Sequence, residues 1–315
     1  MAIGYGKIPR IATNIYMGSM TTLDALKTKV DLEVARCRKA GISRIVPNPR
    51  VAYSAEKGFY FGSGSFEYSI NEILDYIETR HTDIVADAIK ISTIAIEELF
   101  TTDTIRQQYV SFITDVASQL ASYELEFFTI ANEAYAMYGT VENEQMMLDC
   151  IAAVQAQGIP CGITTEGMLD VAKTREAILR ACDVIAVNVY PLISFKGEYT
   201  TYQDCVEGWQ TLGFAEWVKS MSVEYGKKIM ISETGIRDYM EFYTQYYDMD
   251  DVITTELAPT GSKAMAMWLY GLCELVKDDK VPLWRIQLWY LDSIASASDF
   301  FELKGVMDKY EEVKE

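Results

Sequence analysis

Two glutamates are the residues whose type and context best suit chemistry. Glu133 ends the run Phe127-Phe128-Thr129-Ile130-Ala131-Asn132-Glu133. Glu233 follows Lys228-Ile229-Met230-Ile231-Ser232 and precedes Thr234-Gly235. Each is a carboxylate at the tip of an apolar run, and 100 residues separate them. A lone glutamate at a strand end is more often half of an ion pair. Two that point into one pocket are what cleavage of a glycosidic bond requires. One carboxyl, protonated, gives its proton to the leaving oxygen, and the other, ionised, attacks the anomeric carbon. A separation of about 5–5.5 Å gives retention through a covalent intermediate, and about 6.5–9.5 Å gives inversion. Like charges held close raise one pKa, which keeps the acid protonated near neutrality.

Two further segments fit the same chemistry. Asp183-Val184-Ile185-Ala186-Val187-Asn188-Val189-Tyr190-Pro191 reads as a strand with Tyr190 at its mouth. A phenol there can hydrogen-bond the nucleophile and hold it ionised; the bland reading is a core tyrosine bonded to backbone. Ile286-Gln287-Leu288-Trp289-Tyr290 ends in an indole. Sugar rings present apolar C–H faces, for which Trp289 would be a flat platform. It would serve equally as a plug of apolar core.

The elements that must position these residues alternate along the chain. Strand candidates are Arg10–Tyr16, Arg44–Val46, a run within Ile84–Ile91, Glu126–Ala131, Cys161–Thr165, Val184–Tyr190, Lys228–Ser232 and Trp284–Trp289. The Ile84–Ile91 run reads equally as helix. Between them lie apolar stripes at helical spacing, such as Tyr109, Ile113, Val116 and Leu120, or Met146, Met147, Cys150 and Val154. Asp103 and Ser262 stand where helix N-caps belong. Strand and helix in alternation predict parallel βαβ units, and eight of them a single (β/α)8 barrel over residues 1–315. By that count Glu133 and Glu233 cap the fourth and seventh strands, on the face where such barrels carry their active sites. Helix-to-strand turns are short and marked by Gly41, Gly158 and Gly226. Strand-to-helix loops are long and aromatic: Tyr53, Phe59, Tyr60, Phe61, Phe66 and Tyr68 after the second strand, Phe195, Tyr199, Tyr202 and Trp209 after the sixth, Tyr239, Phe242, Tyr243, Tyr246 and Tyr247 after the seventh. These loops are expected to place exposed aromatic surface on the catalytic face.

Composition removes other classes. Half of the 315 residues are apolar, enough for one barrel. The net charge of −18 repels phosphate backbones, anionic membranes and polyanionic glycans, so the expected partner is a neutral glycan, with no nucleic acid and no membrane. The six cysteines form no C-x-x-C pair and read as buried free thiols. His81 is the only histidine, which leaves no room for zinc sites or Ser-His-Asp catalysis. No metal or cofactor is expected. No run of about 18 apolar residues could span a membrane. The first residues show no signal peptide, so the chain reads as cytoplasmic, or as secreted if a signal was trimmed.

On these motifs the sequence resembles the clan A glycoside hydrolases, the retaining superfamily of cellulases, β-mannanases, β-1,4-galactanases and β-1,3-glucanases. The resemblance covers nearly the whole chain by strand order, through short motifs. It implies Glu133 as acid/base and Asn132 as the residue that contacts the sugar 2-hydroxyl. It further implies Glu233 as nucleophile and Tyr190 as the aromatic after the sixth strand. Val-Asn-Val-Tyr-Pro and Ser-Glu-Thr-Gly are most similar to the β-1,3-glucanase branch, and Trp289 to the cellulase and mannanase branch. Members carry an arginine at the second strand beside the nucleophile. Arg44 is the nearest match, with Arg50 the other candidate. The histidine many members have near the sixth strand is missing.

The function expected is therefore a retaining, endo-acting β-glycanase. The alternative is a carbohydrate-binding barrel that has lost hydrolysis. A barrel acting on a phosphorylated metabolite would need a glycine-rich phosphate site after the seventh or eighth strand. Leu291-Asp292-Ser293-Ile294 offers no glycine there and an acidic residue instead.

Overall fold

The computed structural model describes residues 7–18, 20–190, 201–235, 261–277, 281–289 and 300–312. Eight strands follow one another: β1 (Arg10–Tyr16), β2 (Ile45–Asn48), β3 (Ala88–Lys90), β4 (Phe127–Asn132), β5 (Cys161–Thr165), β6 (Val184–Asn188), β7 (Lys228–Thr234) and β8 (Leu283–Leu288). They lie in one sheet in the order β2-β1-β8-β7-β6-β5-β4-β3. A parallel bridge between Arg44 and Val85 nearly closes it, with the Ile45 N–H donating to the Val85 carbonyl at 2.9 Å. Helices fall between the strands: α1 (Leu23–Ala40), α2 (Ile70–Arg80), α3 (Asp103–Leu120), α4 (Val141–Gln155), α5 (Glu176–Ala181), α6 (Tyr202–Thr211), α7 (Phe214–Tyr225), α8 (Gly261–Val276) and α9 (Phe300–Met307). This is a (β/α)8 barrel.

The local reasons are ordinary. Strands covered on both faces carry continuous apolar runs instead of alternation, and every residue of β4, β5 and β6 is buried. Ser69 and Glu72 form a capping box at the start of α2. Helix α3 is capped by Thr102, whose hydroxyl accepts the Ile105 N–H at 3.4 Å. Asp103, expected as the cap, is instead the first helical residue and pairs with Arg106 at 2.7 Å. The ambiguous run Ile84–Ile91 contributes a strand of only three residues, Ala88–Lys90. Ser262 lies within α8.

The chain groups into two compact units, one of Asn14–Val34 and Arg44–Asn188, the other of Met1–Thr13, Ala35–Ser43 and Val189–Glu315. In the first, β3, β4, β5 and β6 pair in parallel succession. Gly162 permits the β5–β6 approach, because a Cβ there would stand 2.1 Å from the Val184 carbonyl oxygen. Tyr109, Ile113, Val116 and Leu120 of α3 are buried, as are Met146, Met147, Cys150, Ile151 and Val154 of α4. In the second unit β7 pairs with β8, and β8 with the first residues of β1. The Trp209 indole N–H donates to the Trp268 carbonyl at 2.9 Å, which ties α6 to α8. All six cysteines are free and buried. Among the described residues no helix is long and apolar enough to cross a membrane.

Candidate active site

Strand β4 delivers Asn132 and Glu133. The Asn132 backbone is clamped by Thr93, whose hydroxyl accepts the Asn132 N–H at 3.0 Å and donates to its carbonyl at 3.2 Å. The Asn132 side chain is buried, and among the described residues its Oδ1 meets no hydrogen-bond donor. A buried acceptor without a donor is costly, so such atoms are rare in native proteins.

Glu133 leaves the strand in the left-handed region, with φ 51°; it is the only non-glycine residue with positive φ among those described. Such a backbone costs roughly 1–2 kcal/mol for a side-chain-bearing residue and persists only when the surroundings enforce it. The enforcement is visible. The Glu133 N–H donates to the Thr164 carbonyl on β5 at 3.0 Å. Its Oε1 accepts the side-chain N–H of Asn188, from β6, at 2.5 Å. The Asn188 Oδ1 in turn lies 3.4 Å from the Nζ of Lys90, a wholly buried lysine at the end of β3. Tyr138 is close by: burial, and then the charges of Glu133, Asp170, Glu166 and Glu97, push its hydroxyl far above the usual phenol range.

Glu233 is held differently. It lies inside β7 and is 3 % exposed. Its carbonyl accepts the Val189 N–H at 2.8 Å, and the hydroxyl of the next residue, Tyr190, donates to its Oε2. The Thr234 carbonyl accepts the Trp289 N–H at 2.7 Å, so Trp289 extends from the tip of β8 alongside β7 and is half-buried there.

The sequence anticipated Asn132, Glu133, Tyr190, Glu233 and Trp289 at strand tips, and each stands at the C-terminal end of its strand. It missed Asn188 and Lys90. The signals were present: Asn188 is two positions before Tyr190, and so on the same side of an extended chain, and Lys90 is a cation in an otherwise apolar run. Arg44 needs correction. It precedes β2, at the N-terminal end, and pairs with Asp87, which precedes β3, at 3.2 Å. In a parallel barrel that is the face opposite the C-terminal tips, so its guanidinium braces the strand starts and not a nucleophile. Arg50 follows β2 and bridges to Ser92 through its backbone.

The aromatic loops also differ from expectation. The loop after β2 folds into a three-stranded antiparallel sheet, Val51–Ser54, Gly58–Ser63 and Phe66–Glu67. Phe59, Tyr60, Phe61 and Tyr68 are all buried. Phe59 stacks on Phe100 with centroids 5.7 Å apart and meets Tyr109 edge-on at 5.1 Å, and Phe61 meets Phe112 at 5.2 Å. These rings form a side core against α3 instead of a sugar platform. Trp209 is buried within α6. Phe195, Tyr199 and the tyrosines and phenylalanine of 239–247 lie outside the described residues, as do 249–251 and 291–294. His81 lies 2.8 Å from Asp31 and is buried at the end of α2. No group of His, Cys, Asp or Glu among the described residues is arranged to hold a metal ion.

No protein-family model matches the chain, and no curated protein matches it in sequence. Solved structures do match in fold, and they are clan A glycoside hydrolases, the group that the motifs resemble. A GH113 β-mannanase from Alicyclobacillus acidocaldarius aligns over 98% of this chain and 99% of its own, with a TM-score of 0.58 and 12% identity. A GH5_18 structure from Streptomyces cattleya aligns over 96% and 80%, with a TM-score of 0.62 and 12% identity. A fungal β-1,4-galactanase aligns over 93% and 98%, with a TM-score of 0.55 and 10% identity. The chain thus has the (β/α)8 fold of the mannanase and galactanase barrels.

Proposed function

We propose that this chain is a retaining glycoside hydrolase that cleaves a neutral β-linked glycan internally, with Glu133 as acid/base and Glu233 as nucleophile. One observation carries the reading. The donors that grip the two glutamates, Asn188 and Tyr190, are next-but-one neighbours in sequence at the end of β6. Each glutamate stands at the C-terminal end of its strand with a side-chain donor on its carboxylate, as two-carboxylate chemistry requires.

The proposed steps follow from these partners. Tyr190 orients Glu233 for attack on the anomeric carbon. Glu133 protonates the departing oxygen, then removes a proton from the water that releases the sugar. The buried Oδ1 of Asn132 accepts from a sugar hydroxyl, the 2-hydroxyl in the family's manner. Trp289 offers its ring to an apolar sugar face. No resident metal or cofactor enters this scheme.

The test is turnover on β-1,3-glucan, mixed-linkage glucan, cellulose oligomers, mannan and galactan, run beside Glu233→Gln, with the anomer of the first product read by proton NMR. Cleavage with retention, lost in the variant, is expected. Inversion would overturn the covalent mechanism. Oligosaccharide binding with no turnover on any polymer would replace the enzyme by a binding barrel.

A further inference from the structure

Tyr135 is a ring that the proposed mechanism leaves unused. Of the large apolar side chains exposed among the described residues, only Tyr135, 48 % exposed, and Leu169, 84 % exposed, lie between the C-terminal tip of a strand and the helix that follows it. Single exposed rings are common and need no purpose, but this one is seated. It opens the one-turn helix Tyr135–Tyr138, and the N–H of Gly139 donates to its carbonyl at 2.8 Å. Gly139 has φ −97° and ψ −15°, a right-handed backbone open to residues with side chains. Glycine serves there for space: a Cβ would stand 2.2 Å from Cε2 and 2.5 Å from Cζ of the Tyr135 ring. The ring is thus laid on the Gly139 backbone and left half exposed.

Its neighbours tie it to Glu133. Tyr135 meets Tyr138 edge-on, with centroids 6.3 Å apart and planes at 90°. The Tyr138 hydroxyl in turn feels the charge of Glu133. Lys173, paired with Asp170 at 2.5 Å beyond the tip of β5, lies within electrostatic reach of the Tyr135 phenol. A flat aromatic face bordered by charged hydrogen-bonding groups suits a sugar ring, which has C–H bonds on its faces and hydroxyls at its rim.

We propose that Tyr135 is the platform for the leaving-group sugar. The inference rests on the reading of Glu133 as acid/base, and the chemistry of that role sets the side. An acid that protonates the departing oxygen lies against the sugar that carries this oxygen away. The ring beside the acid therefore packs on the departing sugar and not on the one that stays bound to the enzyme. Asp170 and Lys173 border the ring and meet that sugar's hydroxyls.

The experiment compares leaving groups. Cleavage of laminari-, cello-, manno- or β-1,4-galactopentaose expels a sugar, whereas the matching β-biosyl fluoride expels a fluoride ion that covers no sugar site. In Tyr135→Ala, kcat/KM on the pentaose that the enzyme cleaves is expected to fall about 10-fold, and on its fluoride by less than about 2-fold. Tyr135→Phe keeps the ring and is expected to stay within about 2-fold of wild type on both. Gly139→Ala pushes the ring from its seat and is expected to follow Tyr135→Ala. Equal falls on pentaose and fluoride would mark the ring as merely structural. An undiminished pentaose rate in Tyr135→Ala would overturn the proposal outright.

The second readout needs no turnover. Carbon-13 spectra are taken of Glu233→Gln protein labelled in its tyrosine rings, with the Tyr135 signals assigned by their loss in Tyr135→Phe. Adding the pentaose is expected to shift them, and signals that none of the four pentaoses moves overturn the platform. Full activity in Glu133→Gln would sink the acid/base reading, and the leaving-group side with it, but not a ring contact seen in the spectra. An inactive Glu133→Gln beside full pentaose activity in Tyr135→Ala would sink the platform and leave the reading intact.

Discussion

The two glutamates are the same residue at the ends of strands three apart in order, yet the protein treats them in opposite ways. Glu133 sits past the end of β4 in a left-handed backbone, gripped by an amide with a buried lysine behind it. Glu233 sits inside β7 in extended backbone, buried, gripped by a phenol. An amide from β6 donates to the carboxylate on the strained turn, and a phenol donates to the carboxylate on the strand ladder. A group that must give and take a proton needs an orientation and an environment that allow both states. A nucleophile needs only to remain ionised and aimed. The difference in support fits the two tasks proposed for them, and it is open to attack from several sides.

The largest expected effect is loss of the carboxylates themselves. Glu233→Gln should reduce kcat by about 10⁴-fold or more on every substrate. Glu133→Gln should cost about 10²–10⁴-fold on glycans, but far less on 2,4-dinitrophenyl glycosides, whose departure needs no proton. Added azide should accelerate Glu133→Ala and give a β-glycosyl azide, whereas Glu233→Ala treated likewise should give the α-azide. The same azide anomer from both would erase the distinction.

A smaller effect is expected from the phenol. Tyr190→Phe removes one hydrogen bond to a charged carboxylate, worth about 1.5–3 kcal/mol, or roughly 10- to 100-fold in kcat/KM. An unchanged kcat/KM in folded Tyr190→Phe would show that Tyr190 serves packing alone.

The smallest effect concerns stability. Asparagine tolerates left-handed backbone better than glutamate. Glu133→Asn should therefore match or exceed wild type in thermal midpoint, with a gain of up to about 1 kcal/mol offset in part by the lost Asn188 contact. Glu233→Asn relieves no strain and should lower the midpoint. A calorimetric ranking in the reverse order would mean that the Glu133 backbone is not strained.

Much of this was legible beforehand. Strands β1 and β5 run as the apolar pattern drew them, and β4, β6, β7 and β8 differ by a residue or two at their ends, because continuous apolar runs ending in polar residues leave few other readings. The placement of Arg44 was legible too and was misread: a residue that precedes an apolar run lies at the strand's start, away from the C-terminal tips. The aromatic loop after β2 was not legible in this sense. Composition shows rings in a loop, but whether they meet sugar or one another depends on α3, which lies tens of residues away and supplies Tyr109 and Phe112.

The sequence by itself therefore determined the order of elements, the (β/α)8 fold, and which carboxylates end which strands, since these follow from local periodicity and chain direction. Only the tertiary structure decided the partners: Asn188 for Glu133, Lys90 behind Asn188, Tyr190 for Glu233, Asp87 for Arg44. A hydrogen bond joins atoms within about 3 Å, and spacing along a chain does not say which strand tips come that close. The left-handed backbone of Glu133 belongs with these, because nothing in the residue prefers it and only its neighbours on β5 and β6 impose it.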